Sequence, residues 1–377
     1  MNLVTTEATF DRDLIPSSVC KTIIRLNKEG FSALIVGGFP RDCLANIKAK
    51  DYDIVTNAKP EQIRKIFKNS RIVGRRFPIV HVYDSNRSFI EVSTFRSGQS
   101  VSNEDGFITR DRSFGTIEQD VIRRDFTVNA LYYNYSDHTL IDFLGGANDI
   151  KDKVIRSIGN PLNRFKEDPV RILRAIRFQA KLDATLDKAT EEAIEINASL
   201  LMNISPSRLF DEIIKLFHSR DNIQIIELIL SYKIDRFLFT KLNNDSFLKA
   251  ALENTARRIE ANISISPIFI FSVFLWSLRV KKLKKISNSR KLNSLIVRES
   301  DKDILLEQNK LTNMPKWIKE GIIDLWSMQH RLEKSRNSNI LSDKRFRMAY
   351  DFLVLRSETI NPNLRKTVDY WSKIQIQ

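Results

Sequence analysis

The hydrophobic positions of the first 145 residues fall in short clusters broken by polar turns, the rhythm of strands mixed with short helices. Ser32–Val36 is an apolar run that stops at Gly37-Gly38 and predicts a strand, and Pro40-Arg41-Asp42 then opens a helix with proline in its first turn. Asp51–Val55 fits a further strand, and Pro60–Asn69 spaces its apolar residues as a short amphipathic helix. Ile79–Tyr83 and Ser88–Phe95 predict a hairpin turning around Asp84–Arg87. Ser97–Thr116 is polar, contains Gly98, Gly106 and Gly115, and reads as a long loop. Arg123–Asn134 starts as a helix, and Thr139–Phe143 is expected as a last, edge strand.

After Gly145-Gly146 the period changes to that of amphipathic helices almost to the end, with Pro161, Pro169, Pro206, Pro267 and Pro315 at or near their starts. No internal repeat interrupts this pattern. The longest mostly apolar stretch, Ile265–Trp276, is broken by Ser and Pro and reads as a buried helix, too short for a membrane span. The expected fold class is therefore α+β. A mixed-sheet head covers residues 1–145, a helical neck 146–205 and a helical body 206–377.

Charge sharpens this division. Of 61 Lys and Arg and 46 Asp and Glu, residues 1–150 hold 20 and 19, leaving 41 and 27 to residues 151–377, within a net charge of +15. A neutral N-terminal part joined to a basic C-terminal part suits an enzyme acting on a polyanion, although a basic surface by itself would also produce it. Two cysteines, Cys20 and Cys43, exclude a disulfide framework and a Cys-rich zinc site. The four histidines show no metal-ligand spacing, and the N-terminus carries no basic-then-apolar signal, so a cytoplasmic protein is expected.

Asp51-x-Asp53 on a strand puts two carboxylates on one face, about 7 Å apart along the backbone. Such a pair can share two divalent cations, the arrangement used for in-line displacement at phosphorus, and oxygen ligands favour Mg²⁺, with Mn²⁺ as the other candidate. A solvated strand would explain the same two residues. The preceding segment separates the two readings: Gly37-Gly38 ends a strand and feeds a helix 13 residues before Asp51. Backbone N–H groups at such a turn can cradle a triphosphate, and Arg41 adds a guanidinium. Together they imply nucleotidyl transfer.

A second constellation is Glu167-Asp168-x-x-Arg171-x-x-Arg174-x-x-Arg177, whose steps of three and four spread these side chains along one broad helix face. A guanidinium and a carboxylate present fixed donors and acceptors to a planar polar partner. An exposed helix with i,i+3 ion pairs is the plainer alternative. His81, in an apolar strand, is expected to pack, and Trp276 and Trp317 are expected in the core. The basic run Arg279, Lys281, Lys282, Lys284, Lys285, Arg290 and Lys291 is placed to track the phosphates of a polyanion or to form a solvated helix face.

The stretch LIVGGFPRDCLANIKAKDYDIVTNAKPEQIRKIF resembles the head of the class II tRNA nucleotidyltransferase and bacterial poly(A) polymerase family. So do DVIRRDFTVNALYYN at 120–134, EDPVRILRAIRF at 167–178, SRLFDEIIKLF at 207–217 and KRFRMAYDFLVLR at 344–356. The resemblance implies a polymerase-beta-like head and template-independent addition of nucleotides to RNA 3′ ends, with ATP as donor. It implies that Asp51 and Asp53 hold the metals, with Glu91 as a third carboxylate, and that Arg124 and Asp125, at a helix start, meet the triphosphate and ribose, Asp125 being essential. It further implies that Asp168 and Arg171 read the base while Arg174 and Arg177 hold phosphates. GRRFPIVHV at 74–82 is similar to the poly(A) polymerase branch; CCA addition to tRNA is the alternative. Phe39-Pro40 and Pro78 depart from the common pattern, and the chain ends at Gln377 without an Arg-rich tail, which points to a weaker hold on RNA. A monomer that draws on accessory RNA-binding proteins is the expected assembly.

Overall fold

The computed structural model describes residues 3–74, 78–84, 88–97, 101–102, 108–110 and 113–375. The paired arginines Arg75 and Arg76, the turn residues 85–87, and residues 98–100, 103–107 and 111–112 of the expected loop lie outside them. The chain forms two compact units, Met1–Ala198 and Ser199–Gln377. Residues 146–198 thus belong to the same unit as the sheet.

The first unit is built on an eight-stranded mixed sheet. Its strands are β1 (Val4–Glu7), β2 (Ala33–Val36), β3 (Asp53–Thr56), β4 (Ser70–Val73), β5 (Ile79–Tyr83) and β6 (Phe89–Thr94); β7 (Val101–Ser102) and β8 (Ile108–Arg110) form a separate pair, and β9 (Leu131–Asn134) and β10 (Thr139–Asp142) complete the large sheet. Its order is β1-β10-β9-β2-β3-β6-β5-β4. β2 and β3 run antiparallel, which sets Val36 opposite Asp53, while β3 and β6 run parallel, with Ile54 beside Val92.

The helices of this unit are α1 (Ser17–Lys28), α2 (Gly38–Leu44), α3 (Pro60–Ile66), α4 (Ile117–Arg123), α5 (Gly146–Lys151), α6 (Pro161–Glu167), α7 (Val170–Lys181) and α8 (Lys188–Asn197). Local chemistry sets their starts. Thr116 and Gln119 cap α4 reciprocally, the Gln119 amide N–H donating to Thr116 Oγ1 and the Thr116 N–H to Gln119 Oε1. Asn160 accepts from the Asn163 N–H with Pro161 next to it at the head of α6. Two apolar clusters cover opposite faces of the sheet. One joins Ile35, Ile54 and Val92 to Val19, Ile23 and Ile63 of the helices; the other joins Leu34, Val36 and Val55 to Val121, Tyr132 and Phe143.

Several expectations change here. β3 begins at Asp53, so Asp51 lies exposed just ahead of the strand. The helix expected from Arg123 does not form: α4 ends at Arg123, a single 3₁₀ turn covers Thr127–Asn129, and Leu131–Asn134 is a central strand. The apolar run Leu131-Tyr132-Tyr133 is fully buried because both faces of that strand are covered. Thr139–Asp142 is not the edge, since β1 pairs outside it through Val4↔Asp142. Within the expected loop, β7 and β8 pair antiparallel.

The second unit is helical: α9 (Pro206–Phe217), α10 (Asn222–Ser231), α11 (Asp235–Leu238), α12 (Ser246–Glu260), α13 (Pro267–Ser287), α14 (Ser294–Leu311), α15 (Lys316–Lys334), α16 (Phe346–Thr359) and α17 (Arg365–Gln375). Residues 268–276 of α13 are buried throughout, as expected for the Ile265–Trp276 stretch. Trp276 is buried, but Trp317 is 55% exposed and is not a core residue. Arg279 also leaves the basic run: it is buried and ion-paired to Asp301. No helix of the described residues is long and apolar enough to cross a membrane.

Candidate active site

The turn between β2 and α2 fixes the geometry. Gly37 caps α2 with φ +73° and ψ −103°, a conformation that any Cβ would strain. Val36, just before it, is the partner of Asp53, so the turn and the aspartate stand side by side at one end of the sheet. A side chain at Gly37 would lie 3.9 Å from Arg124 Nη1 and 3.9 Å from the Asn129 carbonyl oxygen. The structure therefore brings Gly37, Gly38, Asp53 and Arg124 together.

Asp53 and Glu91 each immediately precede the parallel pair Ile54–Val92, so they sit abreast on adjacent strands. Burial first, then the charges of Glu91 and Asp51, pushes the Asp53 carboxyl up to about 6, while Arg124 and Arg41 pull the other way. Glu91 is partly exposed, with Oε1 3.4 Å from His81 Nε2. Among the described residues no three acidic, His or Cys side chains converge tightly enough to grip an ion alone. An open, all-oxygen donor set suits Mg²⁺, which keeps waters and takes substrate phosphates as further ligands.

Arg41 does not lie open at the turn as expected. It is 5% exposed, donates from Nε and Nη2 to Asp42 Oδ1 at 2.9 and 2.7 Å, and gives Nη1 to Asn129 Oδ1 at 2.6 Å. Asn129 Nδ2 in turn donates to Asp125 Oδ1 at 3.1 Å, and Arg174 Nε to Asp125 Oδ2 at 2.6 Å. Burial opposes ionisation of Asp125, but Arg174, Asn129 and the Phe126 N–H hold its carboxyl well below the usual range. Asp125 follows the end of α4 rather than opening a helix. Its position is reinforced by α5: a Cβ at Gly146 would fall 2.3 Å from the Thr127 carbonyl, so only glycine lets the two backbones meet.

Arg124 is anchored through Nε and Nη2 to Asp120 Oδ2 at 3.0 and 2.8 Å, and through Nε to Tyr132 Oη at 2.8 Å. Asp120 is fully buried and also pairs with Arg123. Sequence reasoning passed over it, although its spacing of three and four from two arginines was a usable signal.

The EDPVRILRAIRF stretch is not one helix. Glu167 ends α6, Asp168 forms the corner, and α7 starts at Val170. Arg171 Nη1 donates to Glu167 Oε2 at 3.0 Å and to the Arg164 carbonyl at 2.8 Å. Arg164, also missed, donates Nη2 to the carbonyls of Arg123 and Arg124 at 2.7 Å each. Phe178 on α7 packs between guanidiniums, with Arg41, Arg174 and Arg177 at 4.8, 5.3 and 5.1 Å from its ring centre. Lys181 closes the set by donating to Asp42 Oδ2 at 2.7 Å. Lys281, Lys282, Lys284 and Lys285 lie on α13 of the second unit, where Lys281, Lys284 and Lys285 are exposed.

The fold matches solved structures. The CCA-adding enzyme of Bacillus stearothermophilus, solved with CTP, is 24% identical with a TM-score of 0.67, covering 95% of this chain and 82% of that one. A tRNA nucleotidyltransferase solved with a primer tRNA and an incoming ATP analogue is 24% identical with a TM-score of 0.63, covering 94% and 100%. The likeness to these structures is one of fold. Curated relatives include Poly(A) polymerase I of Escherichia coli O157:H7, 38% identical over 97% of this chain and 84% of the relative, and Poly(A) polymerase I of Haemophilus influenzae (strain ATCC 51907 / DSM 11121 / KW20 / Rd), 38% identical over 93% and 82%. The CCA-adding enzyme of Listeria monocytogenes serotype 4a is 38% identical over 57% of this chain and 54% of its own length. Three family models match: "Poly A polymerase head domain" at 33–156, "Probable RNA and SrmB-binding site of polymerase A" at 183–245 and "Polymerase A arginine-rich C-terminus" at 296–377. The chain belongs to the poly(A) polymerase family and is a nucleotidyltransferase.

Proposed function

We propose that the chain extends RNA 3′ ends with AMP from ATP, without a template, releasing pyrophosphate. The reach of the match carries this reading: a relative named Poly(A) polymerase I aligns over 97% of the chain, CCA-adding ones over 69% and 57%.

In this reading Asp51 and Asp53 hold Mg²⁺, or Mn²⁺ in its place, with Glu91 as the third carboxylate. Two such cations, when bound, lower the pKa of the attacking hydroxyl and neutralise charge on the leaving pyrophosphate. The amides of Gly37 and Gly38 cradle the triphosphate, with Arg124 beside them. Arg41 acts through Asn129, which keeps the Asp125 carboxylate aimed by Arg174. Asp168 and Arg171 read the base, and Arg174 and Arg177 add positive charge along α7. Functionally, residues 1–145 supply the chemistry, 146–205 the base contacts and 206–377 the RNA contacts, with Lys281, Lys282, Lys284 and Lys285 tracking phosphates. The enzyme acts as a cytoplasmic monomer, helped by accessory RNA-binding proteins.

Primer extension with purified protein tests the reading on a generic RNA and on a tRNA lacking CCA, with ATP and CTP offered separately and together. Long ladders on the generic RNA with ATP alone are expected. Three-step extension confined to the tRNA and requiring CTP would replace polyadenylation with CCA addition.

A further inference from the structure

One row of side chains crosses the sheet away from the carboxylates. His81 is the antiparallel partner of Glu91, and Arg71 is the partner of His81, so Asp53, Glu91, His81 and Arg71 stand abreast on β3, β6, β5 and β4. Directly paired residues share a face of the sheet. The next row on that face is Tyr83 opposite Phe89. Phe89 is 48% exposed, and its ring lies flat on His81, with centres 4.0 Å apart and planes 11° from parallel. Tyr83 meets it edge-on at 6.1 Å. His81 Nε2 also lies 3.4 Å from Glu91 Oε1.

A single exposed aromatic is ordinary. This one is backed by a second ring, stands about 7 Å along its strand from Glu91, and shares its face with the exposed Arg71. An RNA whose 3′-hydroxyl reaches the carboxylates must carry its last bases over the neighbouring surface. We propose that Phe89, supported by His81 and flanked by Tyr83, is the platform on which a base at the RNA 3′ end stacks, with Arg71 meeting a backbone phosphate. The inference rests on the polyadenylation reading, which requires an RNA acceptor at this site. Stacking suits an enzyme that starts on any sequence and then works on a growing run of A, because every base offers a π-face. It also gives a use to His81, which the transfer chemistry does not need.

The test uses the full chain with ATP and a short RNA, comparing wild type, Phe89→Ala and Phe89→Tyr. Phe89→Ala is expected to raise the primer KM about tenfold, the size of one lost base stack. ATP KM and the thermal midpoint should stay near wild type, and Phe89→Tyr should restore primer KM. Primers carrying one abasic nucleotide at the last, second-last or third-last position form the second arm. At the stacked position the wild type should drop to the level of Phe89→Ala, which is itself indifferent to that change. An unchanged primer KM in Phe89→Ala would overturn the platform, as would a wild type equally tolerant of all three abasic primers, a result that stands even if the variant folds poorly. Wild-type protein that incorporates no AMP would instead sink the polyadenylation reading.

Discussion

Arg174 donates its Nε to Asp125 Oδ2 at 2.6 Å, and this bond ties α7 to the segment that follows Arg124. Two further donors, Asn129 Nδ2 and the Phe126 N–H, fill the other carboxylate oxygen. α7 and the Gly37 turn are thereby linked through Arg174, Asp125, Asn129 and Arg41 within one unit of the fold.

Asp125→Asn should lower AMP incorporation about a hundredfold, the order of effect found when one preorganised polar group is lost. It should also lower stability in a pH-dependent way. The folded carboxyl titrates below its ordinary range, so its ionised form stabilises the fold above the unfolded-state value near 3.9 and loses that effect as pH falls through the folded value. In urea unfolding, the gap between wild type and variant should be flat from about pH 8 to about pH 5 and narrow on further acidification. A gap that widens toward acid pH would contradict the assigned ionisation.

Gly37→Ala puts a Cβ on a backbone at φ +73°, ψ −103°. Holding a non-glycine residue in such a region costs about 1–3 kcal/mol, unless the turn rearranges. Either outcome disturbs the amides proposed to cradle the triphosphate. Thermal unfolding should shift down by several degrees, and ATP KM should rise while primer KM changes little. An unaltered ATP KM would mean that the turn does not touch the nucleotide.

What could be read from the sequence followed from local pattern. β2, β5 and β6 were legible as apolar runs bounded by turns, and the arginines of α7 as a helix face. β1 and β4 were not, because their residues are largely exposed or half-buried and carry no apolar run. The segment after Arg123 was misread because a strand buried on both faces shows no alternation, and a short apolar run does not by itself choose between helix and strand. The spacing of Asp51 and Asp53 was legible, but their environment beside the Gly37 turn was not. Asn129 shows the limit most clearly: its partner Arg41 is 88 positions away, and nothing local marks it. Arg164, which acts on two backbone carbonyls, is equally silent in sequence.

The second unit contains a buried ion pair whose removal should be costly. Arg279 donates to both oxygens of Asp301 at 2.7 and 3.2 Å and lies between Trp276 and Trp326, 5.1 and 5.3 Å from their ring centres. Arg279→Met leaves a buried carboxylate without its cation, and urea unfolding should show a loss of about 3–5 kcal/mol. Replacing Asp301 with Leu in the same chain should recover most of it, because two apolar side chains leave no charge behind. If the double variant is no better than the single one, the pair is holding the helices in register rather than only satisfying itself.

From Val280 to Arg298 the chain has no acidic residue, and Lys281, Lys284 and Lys285 point from the end of α13 into solvent. Lys282 is partly neutralised by Asp303 at 3.3 Å, so the other three are the better probes. If they track RNA phosphates, changing all three to Gln should weaken RNA binding to every sequence alike. It should also flatten the plot of log affinity against log salt by about 2, at roughly 0.7 per single-strand phosphate contact. ATP KM and the thermal midpoint should not move. An unchanged salt slope would return these lysines to the role of a solvated helix face and leave RNA contact to other parts of the body.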